Sequence, residues 1–477
     1  MTIQWFADWL LPVGWGLYIA LLVGWIILQK RGPVATLSWI LLLGALPVLG
    51  FIVYYYFGPQ RLRRYRLRRL RSRAALSAQE ASAQQQEAGQ RLPAAWYLLS
   101  RLGTVTSDAP LSTAHSATLL VGGETKFKLL LADIREAQQH IHLEYYIYEP
   151  DITGRELLDA LVAKAREGVT VRLLLDALGS VRTHRRFLAP LLQAGGEVAY
   201  FHDPRIGRRL RPVINFRTHR KIVVIDGRVG YTGGINVTDD GHEARSKNAH
   251  RDVHLRLQGG VVRWLQMVFL EDWLYATDQR QPPLEEMDVL LPACEPGRIR
   301  SQILHSGPND ERESIHRVWV AAIQNARRRV WITTPYFVPT EPGMMALTSA
   351  AMRGVDVRVL VPERSDSLIV TAAARSYYDE LLAAGAKIWE CPGNMLHAKT
   401  MLVDADGSWI GTANFDNRSL SLNFEVCAMV FHAPLAAEMS ALFEELLLGS
   451  RQIEIRRPQT WPRRLFEAGM RLLSPLL

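Results

Sequence analysis

One pattern of residues occurs twice in this chain, far apart in the sequence. HRKIVVID occupies residues 219–226, and HAKTMLVD occupies residues 397–404. The match continues beyond these segments, because GGIN at 233–236 stands at the same distance from the first as GTAN at 411–414 from the second. His, Lys, Asp, Gly and Asn therefore recur in register. This recurrence indicates duplication of a whole domain rather than a chance motif.

The sequence around each copy predicts the same order of strands and helices. HIHLEYYIY at 140–148 and RVWITTPYF at 329–337 are apolar and rich in residues that favour strands. Each is followed by a helical stretch and by a second strand, which starts near Gly168 or Gly354. Such alternation is typical of an α/β sheet covered by helices on both faces. We expect two duplicated α/β/α sandwich domains, related by a pseudo-twofold axis that brings both motifs to one cleft.

Two apolar runs precede the repeat. No charged residue occurs at 9–28 or at 34–57. At a rise of about 1.5 Å per residue, each run is long enough as a helix to cross a hydrocarbon core of about 30 Å. The connection between them has room only for a tight turn. The sequence therefore predicts a transmembrane hairpin within residues 1–60, with these two runs as its spans.

A cluster of arginines follows the second apolar run and carries almost all of the formal net charge of +9. Its members are Arg61, Arg63, Arg64, Arg66, Arg68, Arg69, Arg71 and Arg73. Basic residues beside a span stay on the cytoplasmic side, so the large C-terminal part is expected to face the cytoplasm. The rest of the chain is close to neutral, which disfavours nucleic acid as a partner.

The domain boundaries follow from these features. Residues 61–110 are predicted to form a polybasic segment and a helical linker, and the globular part is expected to begin near Leu111. The first domain is placed at 111–290 and the second at 291–477. The second domain ends in an amphipathic tail from Trp461, which either lies at a membrane interface or docks on the core of the protein. Docking on the core is the favoured interpretation.

The repeated residues are suited to binding a phosphoryl group. Residues two apart on a strand share a face, so each motif presents an imidazole beside an ammonium group. The four side chains are His219, Lys221, His397 and Lys399. The amides of Asn236 and Asn414 add neutral donors around a position where negative charge can rest.

Two histidines in equivalent surroundings can divide the work of a displacement. One attacks phosphorus to form a phosphohistidine, while the other protonates the departing alcohol oxygen. A nucleophilic imidazole needs an acceptor on its other nitrogen, and Asp252 and Glu425, each about thirty residues after its motif histidine, are the candidates. The motif acids Asp226 and Asp404 are also candidate catalytic residues. The alternative for these two is support of the fold or of the lysines.

The sequence predicts neither a metal nor another cofactor. A lysine between candidate ligands repels a divalent ion, and neither H-E-x-x-H nor paired cysteines occur. Cys294, Cys391 and Cys427 are too few and too scattered for a disulfide framework or a zinc site. The chain also lacks the G-x-x-x-x-G-K-[ST] loop of nucleotide-binding proteins.

The doubled H-x-K-x4-D with its GGIN and GTAN segments resembles the phospholipase D superfamily. Finer features are similar to the cardiolipin synthase family of bacteria: the paired apolar runs, TTPYFVP at 333–339, SGPND at 306–310 and NRSLSLNFE at 417–425. The resemblance implies transfer of a phosphatidyl group from one phosphatidylglycerol to another, with release of glycerol. It also implies that His219 is the nucleophile and His397 the general acid. The implied location is the bacterial inner membrane, with the catalytic domains on the cytoplasmic side.

Several alternative functions use the same residues. A membrane-bound hydrolase, or a phosphatidyltransferase with another donor lipid or acceptor alcohol, differs only in the acceptor pocket. A phosphodiesterase acting on nucleic acid is disfavoured by the near-neutral catalytic part. A catalytically silent scaffold for anionic lipids is disfavoured because both motifs are complete. The expected partners are anionic phospholipid, the membrane and a second copy of the chain in a homodimer.

Overall fold

The protein is described by a computed structural model, which forms two units. One unit comprises residues 1–62 with 204–215, and the other comprises residues 63–203 with 216–477. The described residues are 2–28, 33–57, 92–202, 216–278, 284–308, 310, 312–454 and 460–477. The arginine cluster and most of the predicted helical linker lie outside this set.

The first unit contains three apolar helices. They are α1 (Thr2–Ile27), α2 (Pro33–Ala45) and α3 (Pro47–Phe57). The second apolar run is not the single helix predicted at 34–57, because it breaks at Leu46. Pro47 has no N–H for the helical ladder, and its ring disfavours a helical conformation in the residue before it. The rings of Trp39 and Tyr54 meet edge to face at 5.1 Å, so α2 and α3 fold back on each other.

The break changes what the second run can do as a helix. The 13 residues of α2 extend about 20 Å, which is less than a hydrocarbon core of about 30 Å. Across the described parts of the chain, no helix combines the length and the apolar character needed to cross a membrane. The prediction of one continuous helix over 34–57 is therefore wrong, because the structure has two helices there.

The first domain is built on a seven-stranded sheet in the order β2-β8-β7-β6-β3-β4-β5. The elements of this part of the chain are α4 (Ala94–Ser107), β1 (Ser112–Ala114), β2 (Ser116–Val121), α5 (Gly123–Glu136), β3 (His140–Tyr145), α6 (Ile152–Arg166), β4 (Thr170–Asp176), α7 (Arg185–Gln193), β5 (Glu197–Phe201), β6 (Ile222–Ile225), β7 (Val229–Gly233), β8 (Val253–Gln258), α8 (Val262–Thr277) and α9 (Leu284–Leu290). Strands β3, β4 and β5 are parallel, whereas β6 pairs antiparallel with β3.

The second domain is built on a nine-stranded sheet in the order β1-β9-β17-β15-β14-β10-β12-β13-β18. Its elements are β9 (Ile299–Ser306), α10 (Ser314–Asn325), β10 (Arg329–Thr333), β11 (Phe337–Val338), α11 (Glu341–Met352), β12 (Asp356–Pro362), α12 (Leu368–Arg375), α13 (Tyr378–Ala383), β13 (Lys387–Cys391), β14 (Thr400–Val403), β15 (Gly407–Gly411), β16 (Phe415–Asp416), α14 (Asn417–Ser421), β17 (Glu425–Phe431), α15 (Ala433–Leu448), β18 (Arg451–Gln452) and α16 (Trp461–Arg471). Without its edge strands β1 and β18, this sheet repeats the strand order of the first. The predicted duplication is confirmed.

The segment before Leu111 is part of the globular fold rather than a linker. Strand β1 pairs antiparallel with β9 at the edge of the second sheet. The Trp96 ring of α4 packs 5.1 Å from the ring of Phe431, and its indole Nε1 donates to Asp406 at 3.1 Å. An apolar helix face and a three-residue strand therefore tie this segment to the second domain. The predicted boundary near Leu111 is too late.

The two sheets share one hydrophobic core. Val224 and Leu255 of the first sheet belong to the same buried cluster as Ile410 and Val426 of the second, together with Phe269 of α8. All five are essentially inaccessible to water. Truncation of a buried aromatic residue such as Phe269 to Ala typically costs about 3–5 kcal/mol. This core fixes the strands that carry the two motifs relative to each other.

Candidate active site

Each motif lies along one interior strand of its sheet. His219 and Lys221 precede β6, and Asp226 follows its last residue. The second motif is arranged in the same way around β14. Because the strand separates the two ends of the motif, the histidine and the aspartate of one motif lie at opposite ends of the sheet. The histidines of both motifs line a single cleft of about 910 Å³.

The carboxylate partners of the histidines come from the opposite domain. Nδ1 of His219 lies 3.0 Å from Oε1 of Glu425. Nδ1 of His397 lies 2.6 Å from Oδ2 of Asp252. Both acids were expected to orient a histidine, but the sequence spacing suggested pairing within one half. The structure corrects this, since each acid crosses to the histidine of the other half.

Backbone contacts reproduce the same exchange. Thr218 forms an isolated parallel bridge with Phe424, and Arg251 forms one with Leu396. The His219 N–H donates to the Phe424 carbonyl at 2.9 Å. Each bridge joins the residue before a histidine to the residue before its acid. Reciprocal contacts of this kind are those that a twofold arrangement of two copies produces.

The motif lysines lie behind the histidines. Nζ of Lys221 donates to the His219 carbonyl at 2.7 Å, and Nζ of Lys399 donates to the His397 carbonyl. Neither lysine is among the residues that line the cleft. Burial and then the charge of Lys399 lower the pKa of Lys221 to about 7. Burial lowers the pKa of Lys399 to about 8, and nearby carboxylates, Asp252 first, limit the fall. The lysines therefore act on the cleft through their charge rather than by lining its wall.

The motif aspartates do not lie in the cleft. Asp226 accepts backbone N–H groups of residues 138–140 at 2.8 to 2.9 Å, and Asp404 accepts those of residues 327–329. Both acids adopt a left-handed backbone conformation, with φ of 52° and 54°. Each therefore closes the turn after its strand and ties that turn to the start of a neighbouring strand. The prediction that Asp226 and Asp404 are catalytic is wrong, and the alternative, support of the fold, agrees with the structure.

The motif asparagines lie in the cleft, as expected from the sequence. Asn236 and Asn414 are both buried and both line it. Oδ1 of Asn236 accepts the N–H of Ile147 at 3.3 Å, which fixes the orientation of its amide. Oδ1 of Asn414 is buried without a hydrogen-bond partner among the described residues. Both amides are therefore placed where they can meet a group bound in the cleft.

The two acids have different surroundings. Glu425 accepts a hydrogen bond from the Thr412 hydroxyl and another from Nδ2 of Asn423 at 3.2 Å. The position equivalent to Thr412 in the first copy is Gly234, and a Cβ there would lie 2.1 Å from Oδ1 of Asp252. No side chain fits at that position. The carboxylate of Asp252 therefore lies against Gly234, in the place where Thr412 puts its hydroxyl beside Glu425 in the other half.

The electrostatics of the acids differ in the same way. Burial raises the pKa of Glu425 to about 7, although Lys221 and its hydrogen bonds act in the opposite direction. Burial also acts to raise the pKa of Asp252, but Lys399 and His397 outweigh it, and the net pKa lies below the usual range. Asp252 is therefore ionised at neutral pH, whereas Glu425 titrates there.

Both histidines are neutral in the free site. Burial and then the charges of Lys221 and Lys399 hold the pKa of His219 well below its ordinary value. Burial and Lys399 lower the pKa of His397 to about 3, against the attraction of Asp252. Lys399 belongs to the second motif and still acts on His219 of the first. The two motifs thus form one electrostatic unit.

Several residues of the cleft were not among the site residues predicted from the sequence. Arg217 and Arg418 line it, as do Tyr146 and Tyr336. The Tyr146 ring meets the His219 ring edge to face at 5.1 Å. Arg418 lies in NRSLSLNFE and Tyr336 in TTPYFVP, so the segments that carry the family resemblance could have indicated both. Within the described ranges, no three His, Cys, Asp or Glu side chains converge to hold a metal ion.

Comparison with known proteins identifies the family. The family described as "Cardiolipin synthase, PLD-like domain" matches residues 130–273 and 319–447. A cardiolipin synthase of Geobacillus kaustophilus is 40% identical over 97% of this chain and 92% of its own length. The chain belongs to the cardiolipin synthase family. Cardiolipin synthase 1 of Bacillus cereus is 36% identical over 95% of this chain and 91% of its own length.

Two further comparisons concern the N-terminal segment of this family member and its fold. Residues 16–59 match the family described as "Phospholipase D-nuclease N-terminal". A crystal structure of phosphatidylserine synthase from Haemophilus influenzae superposes with a TM-score of 0.61, covering 80% of this chain and 100% of that chain at 13% identity. At that identity the likeness shows the fold alone, and it agrees with two phospholipase D-like domains.

Proposed function

We propose that the protein is a phosphatidyltransferase that makes cardiolipin and glycerol from two molecules of phosphatidylglycerol. The observation that carries this proposal is the reciprocal pairing of His219 with Glu425 and of His397 with Asp252 in one cleft. Each acid occupies Nδ1, so each histidine presents Nε2 to the substrate. Membership of the cardiolipin synthase family supports the same reaction.

In the first step, Nε2 of His219 attacks the phosphorus of the donor lipid. A P–N bond forms while the bond from phosphorus to the glycerol headgroup oxygen breaks. His397, protonated once an anionic lipid is bound, gives its Nε2 proton to that oxygen, and glycerol leaves. The bound phosphate favours this protonation because its negative charge offsets the lysine charges that keep both histidines neutral in the free site.

In the second step, His397 acts as a base. It takes the proton from the headgroup hydroxyl of the second lipid, whose oxygen attacks phosphorus as the P–N bond breaks. His219 is released, and cardiolipin leaves. The exchange of one phosphodiester for another needs no nucleotide and no metal in this scheme.

The unequal acids support this division of roles. An ionised carboxylate at Nδ1 stabilises an imidazolium, which the general acid needs, and Asp252 is the acid with a lowered pKa. Glu425 titrates near neutral pH, so its negative charge stabilises protonated His219 less. His219 is then the histidine that more readily keeps a lone pair for attack. We therefore assign the nucleophile to His219 and the general acid to His397.

The phosphate of the donor lipid is stabilised by two sets of groups, one behind the histidines and one in the wall of the cleft. The lysines act from behind the histidines, where their ammonium groups remain close enough to lower the pKa of His219. The amides of Asn236 and Asn414 and the guanidinium groups of Arg217 and Arg418 lie in the wall of the cleft. Donors placed before the reaction stabilise negative charge at phosphorus without reorganising.

We further propose that the N-terminal apolar segment attaches the enzyme to the bacterial inner membrane, with the catalytic domains on the cytoplasmic side. The match of residues 16–59 to an N-terminal family domain and the arginine cluster support this. The two-span arrangement stays a prediction. It requires Cys introduced at Thr2 and at Gln60 to be labelled from the same side of sealed inner-membrane vesicles. A homodimer also stays a prediction, which light scattering of the purified protein checks.

The reaction itself is tested with purified full-length protein in phosphatidylglycerol vesicles, without added nucleotide. We expect cardiolipin and glycerol in equal amounts by mass spectrometry. Phosphatidic acid as the main product contradicts the proposal and identifies a hydrolase. Turnover that requires a second donor lipid or another alcohol identifies a different phosphatidyltransferase.

A further inference from the structure

The C-terminal helix α16 exposes its apolar side chains and buries its acid. Trp461 is 74% exposed and Leu465 is 64% exposed, whereas Glu467 is 4% exposed. Residues two apart on a helix point in nearly opposite directions. Glu467 faces the protein, and Leu465 therefore faces solvent. Leu472, just past the helix, is 81% exposed. This arrangement is the reverse of a surface helix that covers a core.

The inward face of α16 is firmly attached to the second domain. The Arg471 guanidinium lies 4.2 Å from the centre of the Tyr377 ring. The Tyr377 hydroxyl donates to Ser474 Oγ at 2.9 Å, and Asn417 Nδ2 donates to the Ser474 carbonyl at 3.1 Å. Met470 packs against the core of the domain. The predicted docking on the protein's own core is therefore seen, and it leaves the opposite face of the helix uncovered.

The uncovered face continues onto a neighbouring helix. α12 packs against α16, and its first residues Leu368 and Ile369 are 77% and 42% exposed. Large apolar side chains gain about 1.5–3 kcal/mol each when they are removed from water. Several of them together on a surface mark an interaction site. The apolar face is defined by Trp461, Leu465, Phe466, Leu472, Leu368 and Ile369.

This apolar face is adjacent in the chain to two residues that line the catalytic cleft. Val370, the residue after Ile369, lines the cleft, and so does Leu477, which follows α16 and its short 3-10 turn. The Leu477 carbonyl accepts the N–H of Arg418 at 2.8 Å. Whatever covers the apolar face therefore lies near this part of the cleft wall.

The charges beside the apolar face indicate what covers it. Arg463 and Arg464 are exposed, and the single acid of α16, Glu467, is buried and accepts a hydrogen bond from Arg463 Nε at 3.2 Å, so Arg464 is the cation of this helix face without an acid on α16 beside it. A helix surface with an exposed tryptophan, bulky aliphatic residues and arginines on its flank fits the interface of an anionic bilayer. We propose that α16 and the start of α12 form a docking surface for anionic phospholipid, which seats the cleft mouth on the membrane. The inference depends on the proposed function in one respect, which is that the substrate of the cleft is an anionic phospholipid.

The docking is tested by site-specific labelling of the full-length chain. The half-buried Cys294 is replaced by Ser, while the buried Cys391 and Cys427 are retained. An environment-sensitive fluorophore is attached in the L465C variant and, as the matched control, in the Q138C variant. Gln138 is exposed and lies at the end of the first sheet away from His219, since its N–H donates to Asp226 at 2.8 Å.

In phosphatidylglycerol vesicles, we expect the label at position 465 to shift to the blue and to be quenched by doxyl lipids, while the label at 138 stays accessible to aqueous iodide. Zwitterionic vesicles should weaken the effect at 465. Equal iodide access at both positions overturns the proposal. Shielding at 465 that rises with protein concentration and is the same with and without vesicles identifies a second copy of the chain as the occupant and overturns the proposal as well. None of these signals depends on turnover, so they stand apart from a failure of the proposed reaction.

A rate measurement complements the labels. The W461S/L465S variant changes only exposed side chains, so folding is expected to be preserved. We expect its rate on phosphatidylglycerol vesicles to fall by at least about tenfold, because two buried contacts with lipid are lost. The rate on short-chain phosphatidylglycerol below its micelle concentration should be unchanged. Equal loss on both substrates overturns the proposal.

Discussion

The two halves of the catalytic site are related by duplication but are not equivalent. In one, His219 faces Glu425, which is held by Thr412 and Asn423 and has a pKa of about 7. In the other, His397 faces Asp252, whose pKa is held below its usual range chiefly by Lys399 against the effect of burial. Duplication supplied two imidazoles in one cleft, and the acids beside them have pKa values shifted in opposite directions.

The difference between the two acids explains how one site can hold both a nucleophile and a general acid. Two identical half-sites would compete for the same proton, and either histidine could attack. With one ionised acid and one that titrates near neutral pH, the proton has a preferred location. The predictions below ask whether the halves really differ, beginning with the largest expected effect.

Replacing each histidine should separate attack from protonation. With phosphatidylglycerol, H219A and H397A should each lose about 10³-fold or more in turnover, because each lacks a covalent or acid–base partner. With a phosphatidyl ester of p-nitrophenol, whose leaving group needs no proton, H397A should recover a burst of p-nitrophenol and H219A should not. Stopped-flow absorbance measures the burst. A burst in H219A alone would exchange the two roles.

Replacing each acid should affect the same step as replacing its histidine, with a smaller loss of rate. D252N and E425Q should each reduce kcat by about 10- to 100-fold, since both leave a histidine without its ionisable partner. The p-nitrophenyl ester should rescue the first step in D252N but not in E425Q. Equal rescue of both variants, in the same steady-state assay, would mean that the acids only support the fold.

The two acids should also affect stability with opposite dependence on pH. The pKa of Glu425 is raised from 4.5 to about 7 in the folded state, so its contribution is complete below about pH 4.5 and is lost as pH rises through 7. E425Q has no carboxyl group to ionise and should not show this loss. Its free energy of unfolding, relative to that of wild type, should therefore be about 2 kcal/mol higher at about pH 8 than at about pH 5. The pKa of Asp252 is lowered, so D252N should be less stable than wild type at neutral pH, with a difference that shrinks in acid. Thermal denaturation at about pH 5 and about pH 8 measures these changes. If the stabilities of both variants, relative to wild type, change with pH in the same direction, the two halves do not differ in their electrostatics.

The motif aspartates should behave alike and should not affect chemistry. D226A and D404A each remove a carboxylate that accepts several backbone N–H groups and should cost about 1–3 kcal/mol of unfolding free energy. The kcat of the folded fraction should stay within a few-fold of wild type. D226N and D404N are matched controls, because Asn tolerates the left-handed backbone and keeps one acceptor oxygen. Loss of kcat without loss of stability would return these residues to the catalytic group.

Much of the site could be predicted from the sequence because the motif is repeated in register. The repeat placed both histidines, both lysines and both asparagines in equivalent positions, and tautomer chemistry identified Asp252 and Glu425 as their partners. The exchange of acids between halves could not be predicted. It depends on how the domains pack, and the spacing of about thirty residues within each half suggests the wrong partner.

The errors in the fold have two physical causes: local patterns do not report long-range contacts, and a single proline can outweigh a uniformly apolar composition. Strand β1 has three residues and no periodic signal, yet it pairs with β9 at the edge of the second sheet. The apolar run at 34–57 is uniform in composition, and Pro47 divides it into two helices. Asp226 and Asp404 looked catalytic because they belong to the motif, but their strands carry them to the far end of the sheets.

The central claim is that His219 carries the phosphatidyl group while His397 moves the proton. The most direct measurement is mass spectrometry of peptides from H397A and H219A after incubation with the p-nitrophenyl ester of phosphatidic acid and a rapid alkaline quench. We predict a phosphatidyl or phosphoryl adduct on His219 in H397A and no adduct in H219A. An adduct on His397 in H219A, with none on His219 in H397A, would contradict the assignment.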